Sequence, residues 1–157
     1  MKNRMLFIIV SIFLAAGLLA GNTAMEFETG KIIPKIRCQV DPDQSYALYL
    51  PKKYTESSKW PILYLFEPGA RSMIPMKLFQ RAAEKYNFIL LCSNNSKNGP
   101  TQDIVRAIKA VWVDSHKRLS IDKKRIYASG FSGGARTCSI MHYLTGKSLA
   151  GIIAFGA

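Results

Sequence analysis

The pentapeptide Gly-Phe-Ser-Gly-Gly at residues 130–134 is the part of the sequence whose residue types and spacing suit covalent chemistry. A short apolar run precedes it at residues 125–129, and a helix-like stretch follows at residues 135–145. A serine placed between a strand and a helix in a G-x-S-x-G pattern lies in a sharp turn that presents its hydroxyl as a nucleophile. The pattern therefore predicts Ser132 as a catalytic residue.

The presence of glycine at positions 130 and 134 of this pentapeptide has a steric explanation. A turn this sharp strains the backbone at the serine, and side chains at Gly130 and Gly134 would collide with the neighbouring strand and helix. Gly133 would begin the helix, so its N–H would point toward negative charge that develops beside the serine. We therefore expect Gly130 and Gly134 to shape the turn and Gly133 to be an oxyanion donor. A flexible turn without chemistry is the alternative interpretation.

The surrounding sequence alternates between strand-like and helix-like segments. Hydrophobic patterns predict strands at residues 31–40, 45–50, 61–66, 87–93, 125–129 and 150–155, and helices at residues 75–86, 101–118 and 135–145. This order predicts an α/β fold with a mostly parallel sheet covered by helices on both faces. Right-handed crossovers would bring the loops at residues 67–72 and 93–100 to the same edge as Ser132, where such folds bind ligands.

Length and charge limit the possible functions. The chain has 157 residues and a formal net charge of +12, and this length is typical of one domain. Its basic side chains are scattered, with one dense cluster at residues 117–118 and 123–125. No interleaved aromatic platform or recognition motif accompanies that cluster, so we expect no nucleic-acid partner. Attraction to acidic polymers or to an anionic membrane surface stays open.

The N-terminus has the pattern of a secretory signal peptide. Lys2 and Arg4 precede an apolar run at residues 5–20, and small residues follow at its end. This predicts a signal peptide at residues 1–24 and a domain at residues 25–157. Because a membrane span needs roughly 20 apolar residues, we expect a secreted or periplasmic protein with no stable membrane span after signal removal. An uncleaved N-terminal membrane anchor is the alternative.

The three cysteines, Cys38, Cys92 and Cys138, lie far apart and lack the spacing of metal ligands. No metal site or cofactor is predicted from them. One disulfide with an odd thiol is compatible with export. Three independent buried thiols fit the sequence at least as well, because each cysteine lies in an apolar stretch.

Three segments together resemble the α/β-hydrolase superfamily. They are the pentapeptide, the sequence Tyr-Ala-Leu-Tyr-Leu-Pro at residues 46–51, and the apolar run at residues 62–66 that leads into Glu-Pro-Gly-Ala. Over residues 46–157 the chain is similar to exported serine esterases of the polyhydroxybutyrate depolymerase and feruloyl esterase type. The resemblance implies that Ser132 attacks a small-molecule or polymeric ester and forms an acyl-enzyme, without a cofactor.

The resemblance also implies a second oxyanion donor in the loop after the third strand, which corresponds here to Gly69 or Ala70. The family commonly has His-Gly in this loop, whereas this chain has Glu67, Pro68 and Gly69. The proline departs from the pattern in a way that matters, because it has no amide N–H to donate.

The triad acid and histidine are a larger departure. In the family they follow the serine in the order Ser, Asp or Glu, His. After Ser132 this chain has no Asp or Glu, and its only histidine there is His142, ten residues along the same predicted helix and about 15 Å away. His116 would lie near the opposite edge of the sheet. We therefore expect the N-terminal part of a longer esterase, truncated after the strand that follows the elbow.

Two other interpretations remain open. A non-catalytic exported module that binds a polymer or glycan needs no base, and an inactive remnant needs none either. A peptidase of the same fold is favoured less, because the propeller domain of prolyl-oligopeptidase-like proteins is missing.

Overall fold

The computed structural model describes residues 26–156, so the predicted signal peptide lies outside the described residues. In chain order the elements are β1 (Ile32–Arg37), β2 (Ser45–Tyr49), β3 (Trp60–Phe66), α1 (Met73–Tyr86), β4 (Ile89–Ser93), α2 (Thr101–Arg118), β5 (Ile121–Phe131), α3 (Gly133–Leu144) and β6 (Gly151–Phe155). None of the helices within this range is both long and apolar enough to cross a membrane.

The six strands form one sheet in the order β1-β2-β4-β3-β5-β6. The strands β4, β3, β5 and β6 run parallel, whereas β2 pairs with β1 and with β4 in the antiparallel sense. The predicted mostly parallel α/β architecture is confirmed. Because the parallel strands share one direction, the ends of β3, β4 and β5 meet at one edge of the sheet.

The central strands are buried on both faces, which explains their continuous apolar sequences. On one face Ile62, Tyr64 and Phe66 of β3 pack in a core cluster with apolar residues of α2 and α3. On the other face Leu63 and Leu65 pack with residues of α1. Alternate residues of one strand therefore anchor helices on opposite sides of the sheet.

Some element boundaries differ from the sequence prediction. Helix α1 begins at Met73, two residues before the predicted start at Pro75, because a proline is tolerated within the first turn of a helix. Strand β5 begins at Ile121 rather than at residue 125. Its pairing with β3 shifts register between Ile121 and Ile126, where the sequence Asp-Lys-Lys-Arg lacks the apolar alternation that identifies strands.

Strand β6 lies at one edge of the described sheet. It pairs with β5 alone, and Ile153 and Phe155 are 48% and 50% exposed. Within residues 26–156 this apolar strand is an uncovered edge. At the cysteines, all three thiols are free and buried.

Candidate active site

Ser132 lies in a strained turn between β5 and α3. Its backbone angles are φ 51° and ψ −117°, and positive φ is costly for a residue with a Cβ atom. The surrounding structure holds this conformation. The Ser132 amide donates to the Phe155 carbonyl at 2.7 Å, and the Ala135 amide donates to the Ser132 carbonyl at 3.0 Å. The sharp turn expected at Ser132 is present, and its role as a nucleophile stays a prediction.

Two glycines allow the chain to turn here without a collision. A Cβ atom on Gly130 would lie 2.3 Å from the carbonyl carbon of Gly134, and a Cβ atom on Gly134 would lie 2.1 Å from the carbonyl oxygen of Phe66. Both obstacles are backbone atoms, which cannot move aside as the end of a flexible side chain does. The turn is therefore packed directly against the end of β3.

Gly133 is the first residue of α3, so its amide has no acceptor within the helix. Its neighbour across the turn is Asn98, in the loop after β4. A Cβ atom on Gly133 would lie 1.7 Å from Asn98 Oδ1 and 3.2 Å from Asn98 Nδ2. Sequence reasoning placed this loop at the correct edge of the sheet but did not single out Asn98, since nothing in the residue pattern sets it apart from its polar neighbours.

The loop after β3 closes on the carboxylate of Glu67, which is only 8% exposed. Glu67 Oε2 accepts hydrogen bonds from the amides of Gly69 at 2.8 Å and Arg71 at 2.9 Å. The Ala70 amide donates to the Glu67 carbonyl at 3.0 Å. The Arg71 guanidinium donates to Glu67 Oε1 and holds the pKa of this carboxyl below its usual range.

This arrangement bears on the predicted second oxyanion donor. The amides of Gly69 and Ala70 already donate to acceptors on Glu67, and Pro68 has no amide N–H. The assignment of Gly69 and Ala70 stays a prediction. It requires one of these two amides to break its hydrogen bond to Glu67 and to donate to the substrate oxyanion instead.

Comparison with known proteins shows the fold. No protein-family model matches the chain, and no curated protein matches its sequence. Among solved structures, an esterase of Thermogutta terrifontis phosphonylated by sarin aligns with TM-score 0.58, 16% identity, 73% of this chain and 49% of that chain. The carboxylesterase EstE1 from a metagenomic library aligns with TM-score 0.58, 17% identity, 81% of this chain and 47% of that chain.

A hyperthermophilic esterase from the archaeon Pyrobaculum calidifontis aligns with TM-score 0.54, 15% identity, 75% of this chain and 41% of that chain. Each match covers most of this chain at low sequence identity, so it shows the fold. The chain has the α/β-hydrolase fold. It spans about half the length, or slightly less, of the solved structures that it matches.

In this α/β-hydrolase fold, neither histidine of the chain lies beside Ser132. His142 is in the last turn of α3, about 15 Å along the helix from the serine. His116 is near the end of α2, where its ring stacks on Trp112 at 3.9 Å and its Nδ1 contacts the Trp112 carbonyl at 2.9 Å. The in-register part of β5 that separates His116 from Ser132 spans about 17 Å. Both histidines are beyond hydrogen-bond reach of the hydroxyl, as predicted.

A largely apolar cavity of about 510 Å³ lies beside the turn of the α/β-hydrolase fold. Side chains from α1, from the ends of β3 and β5, and from β6 line it, and these include Leu65, Ile74, Leu78, Phe131 and Phe155. Glu67 and Arg71 are also in its lining. The cavity thus joins the exposed apolar side of β6 to the loop after β3.

Proposed function

We propose that this chain carries the nucleophile half of a serine hydrolase that acts on carboxylic esters. The strained turn at Ser132, fixed by backbone contacts of Gly130 and Gly134, is the observation that carries the proposal. Strained backbone conformations of non-glycine residues are costly and cluster at functional sites. The structural neighbours support the reaction class, because the aligned solved structures described above are esterases by name.

The proposed reaction has two steps. Ser132 Oγ attacks the ester carbonyl as its proton passes to a base, and the oxyanion is stabilised by the Gly133 amide. The tetrahedral intermediate then expels the alcohol, which takes up that proton, and leaves an acyl-enzyme. Water attacks the acyl-enzyme in the same way, releasing the acid and restoring the serine.

We propose that the base and the triad acid come from residues outside 26–156, so that residues 25–157 form the N-terminal portion of an α/β-hydrolase domain. Three observations support this. Neither histidine can reach Ser132. The buried carboxylate of Glu67, in the loop after β3, is already paired with Arg71. The exposed apolar side of β6 is also a surface that additional chain would cover, since a folded protein rarely leaves an apolar edge strand open to pairing.

The finer class of this hydrolase is also proposed. The signal-like N-terminus supports an exported esterase of the polyhydroxybutyrate depolymerase or feruloyl esterase type, with a small-molecule or polymeric ester as substrate. N-terminal sequencing of the mature protein tests export. A start after Ala20 or Ala24 supports it, and a retained Met1 in a membrane fraction favours the uncleaved anchor.

The decisive experiment uses the protein expressed from its complete reading frame. A fluorophosphonate probe reports an activated serine, because the serine oxygen bonds to phosphorus as fluoride leaves. Hydrolysis of p-nitrophenyl butyrate reports turnover. Ser132→Ala is expected to abolish labelling and to lower turnover by about 10³-fold or more. Ser139→Ala removes an exposed hydroxyl from the same helix and should leave both signals unchanged.

One observation favours a second candidate, a non-catalytic binding module. No histidine lies near Ser132 among the residues from 26 to 156, and a module that holds a polymer or glycan needs no base. In that case the Ser132→Ala protein binds its polymer as the parent does, and neither protein reacts with the phosphonate.

A further inference from the structure

We propose that the side-chain amide of Asn98 supplies the second N–H of the oxyanion hole, in place of a backbone amide from the loop after β3. This inference rests on the proposed serine hydrolase function and adds a catalytic residue to it. The observation behind it is a juxtaposition: the loop after β3 has no free amide between Pro68 and Arg71, and Asn98 lies directly against Gly133.

The loop after β3 uses its own amides internally. Pro68 has no N–H, and the next three amides, those of Gly69, Ala70 and Arg71, all donate to acceptors on Glu67. The carboxylate that accepts two of these bonds is nearly buried and is held charged by Arg71, so the bonds are charge-assisted and strong. Recruiting the Gly69 or Arg71 amide to a substrate would leave a buried carboxylate short of a donor, and recruiting the Ala70 amide would break its bond to the Glu67 carbonyl. Either loss is costly.

Asn98 is placed where a replacement donor is needed. Its Oδ1 lies 1.7 Å from the position of a Cβ atom on Gly133, and it is therefore within about 3.2 Å of the Gly133 Cα atom. The end of the Asn98 side chain therefore lies against the residue whose amide is the first expected donor. An asparagine amide carries two N–H donors, and Nδ2 donates to no other residue in the described part of the chain.

The backbone and one neighbour hold Asn98 in this position. The backbone N–H of Asn98 donates to the Pro68 carbonyl at 2.8 Å, and the adjacent Lys97 pairs with Gly69 in an isolated β-bridge. Arg136 Nη2 lies 3.5 Å from Asn98 Oδ1. A cation on the oxygen side of the amide leaves the nitrogen side for a negatively charged oxygen. Because the terminal torsion of asparagine is broad and roughly two-fold, rotation about it can turn Nδ2 toward the oxyanion.

The size of the effect follows from the role. Removing one side-chain donor from an oxyanion hole lowers kcat by about 10²–10³-fold. The loss belongs to kcat rather than KM, since the charge that Asn98 would stabilise develops only in the transition state.

The test compares two variants of Asn98 in the protein expressed from its complete reading frame. Asn98→Ala removes the amide. Asn98→Asp keeps the shape and an oxygen but replaces the donor with a negative charge, so it should lose more activity than the alanine variant. A purely structural role through Oδ1 would give the opposite order, with aspartate restoring activity. Asn94→Ala is the matched control, because Asn94 is in the same loop and donates to Pro34 and Ser45 instead.

We expect kcat for p-nitrophenyl butyrate to fall about 10²-fold or more in both Asn98 variants, with KM and the thermal midpoint little changed. A crystal structure of the phosphonylated protein should place Asn98 Nδ2 and the Gly133 amide about 2.7–3.1 Å from the same phosphoryl oxygen. Three results would overturn the role of Asn98 but not the proposed hydrolase function. They are a wild-type kcat in Asn98→Ala, an effect confined to KM, and an equal loss of kcat in Asn94→Ala. A protein that neither reacts with the phosphonate nor depends on Ser132 overturns the proposed function, and this inference with it.

Discussion

Substituting alanine for Gly134 tests whether the turn at Ser132 is fixed by its contact with β3. The added Cβ atom would lie 2.1 Å from the carbonyl oxygen of Phe66 and 2.7 Å from its carbonyl carbon. Carbon atoms normally approach to about 3.5 Å, so β3 or α3 has to shift by about 1 Å. Overpacking of this kind costs about 3 kcal/mol where backbone is the obstacle.

Helix propensity opposes this steric cost, so the sign of the change in the free energy of unfolding shows which effect is larger. Gly134 lies within α3 and its φ is not positive, so alanine fits the backbone and gains about 1 kcal/mol of helix propensity. The net expectation is a loss of about 2 kcal/mol in the free energy of unfolding, measured by urea denaturation. That loss corresponds to a fall of about 4–8 °C in the thermal midpoint for a chain of this size.

The same variant should react slowly with a fluorophosphonate, because the shift displaces Ser132 from the rest of the site. Gly133→Ala is the matched control for stability: it is the same substitution one residue earlier, and the obstacle is the end of the Asn98 side chain rather than backbone. If Gly134→Ala unfolds at the parent's urea midpoint and is labelled at the parent's rate, the steric account of the turn is wrong.

Three further predictions concern Gly133, Glu67 and the cysteine thiols. Gly133→Ala should keep the parent's stability yet lose kcat as Asn98→Ala does, because its methyl group displaces the Asn98 amide; parent-like kcat would contradict this. Hydrogen bonds from Arg71 lower the pKa of the Glu67 carboxyl. The ionised carboxylate therefore stabilises the folded protein above the ordinary glutamate pKa, and this stabilisation is lost as the pH falls through the lowered pKa. Urea unfolding between pH 3 and 7 should show a loss of stability in acid that is smaller in Glu67→Gln, and an equal loss in the two proteins would refute this. Burial raises the pKa of the Cys38 and Cys138 thiols to about 12, so iodoacetamide at pH 8 should label no cysteine before urea unfolds the protein; labelling in the native state would show that a thiol is accessible.

The sequence predicted the parts of the fold whose signals are local. Helix α2 has the predicted limits, Thr101–Arg118, because its apolar residues recur at helical spacing over five turns. Strands β3 and β4 were found as continuous apolar runs, since both of their faces are buried. Strand β5 was predicted too short, because its first residues are polar and are held by pairing with β3 at Trp60, a contact that periodicity does not encode.

The same distinction applies to the candidate site. The turn at Ser132 was predictable because its glycines and its flanking strand and helix are contiguous in sequence. The placement of Asn98 against Gly133 was not. It depends on how the loops after β3 and β4 meet at the edge of the sheet, and that is set by the register of strands far apart in sequence.

The roles argued for Glu67 and Asn98 are two aspects of one arrangement. A loop whose amides are all held by acceptors on Glu67 cannot donate to a substrate, and the Pro68 carbonyl of the same loop accepts a hydrogen bond from the Asn98 backbone amide. The two residues should therefore be coupled. In a Glu67→Ala background the Gly69 amide is released, so the further loss of kcat caused by Asn98→Ala should be smaller than in the parent. A double-mutant cycle on kcat, with urea unfolding of each variant, measures this coupling. If the two losses simply add, Gly69 does not replace Asn98, and the amides held by Glu67 are not the reason that the site needs a side-chain donor.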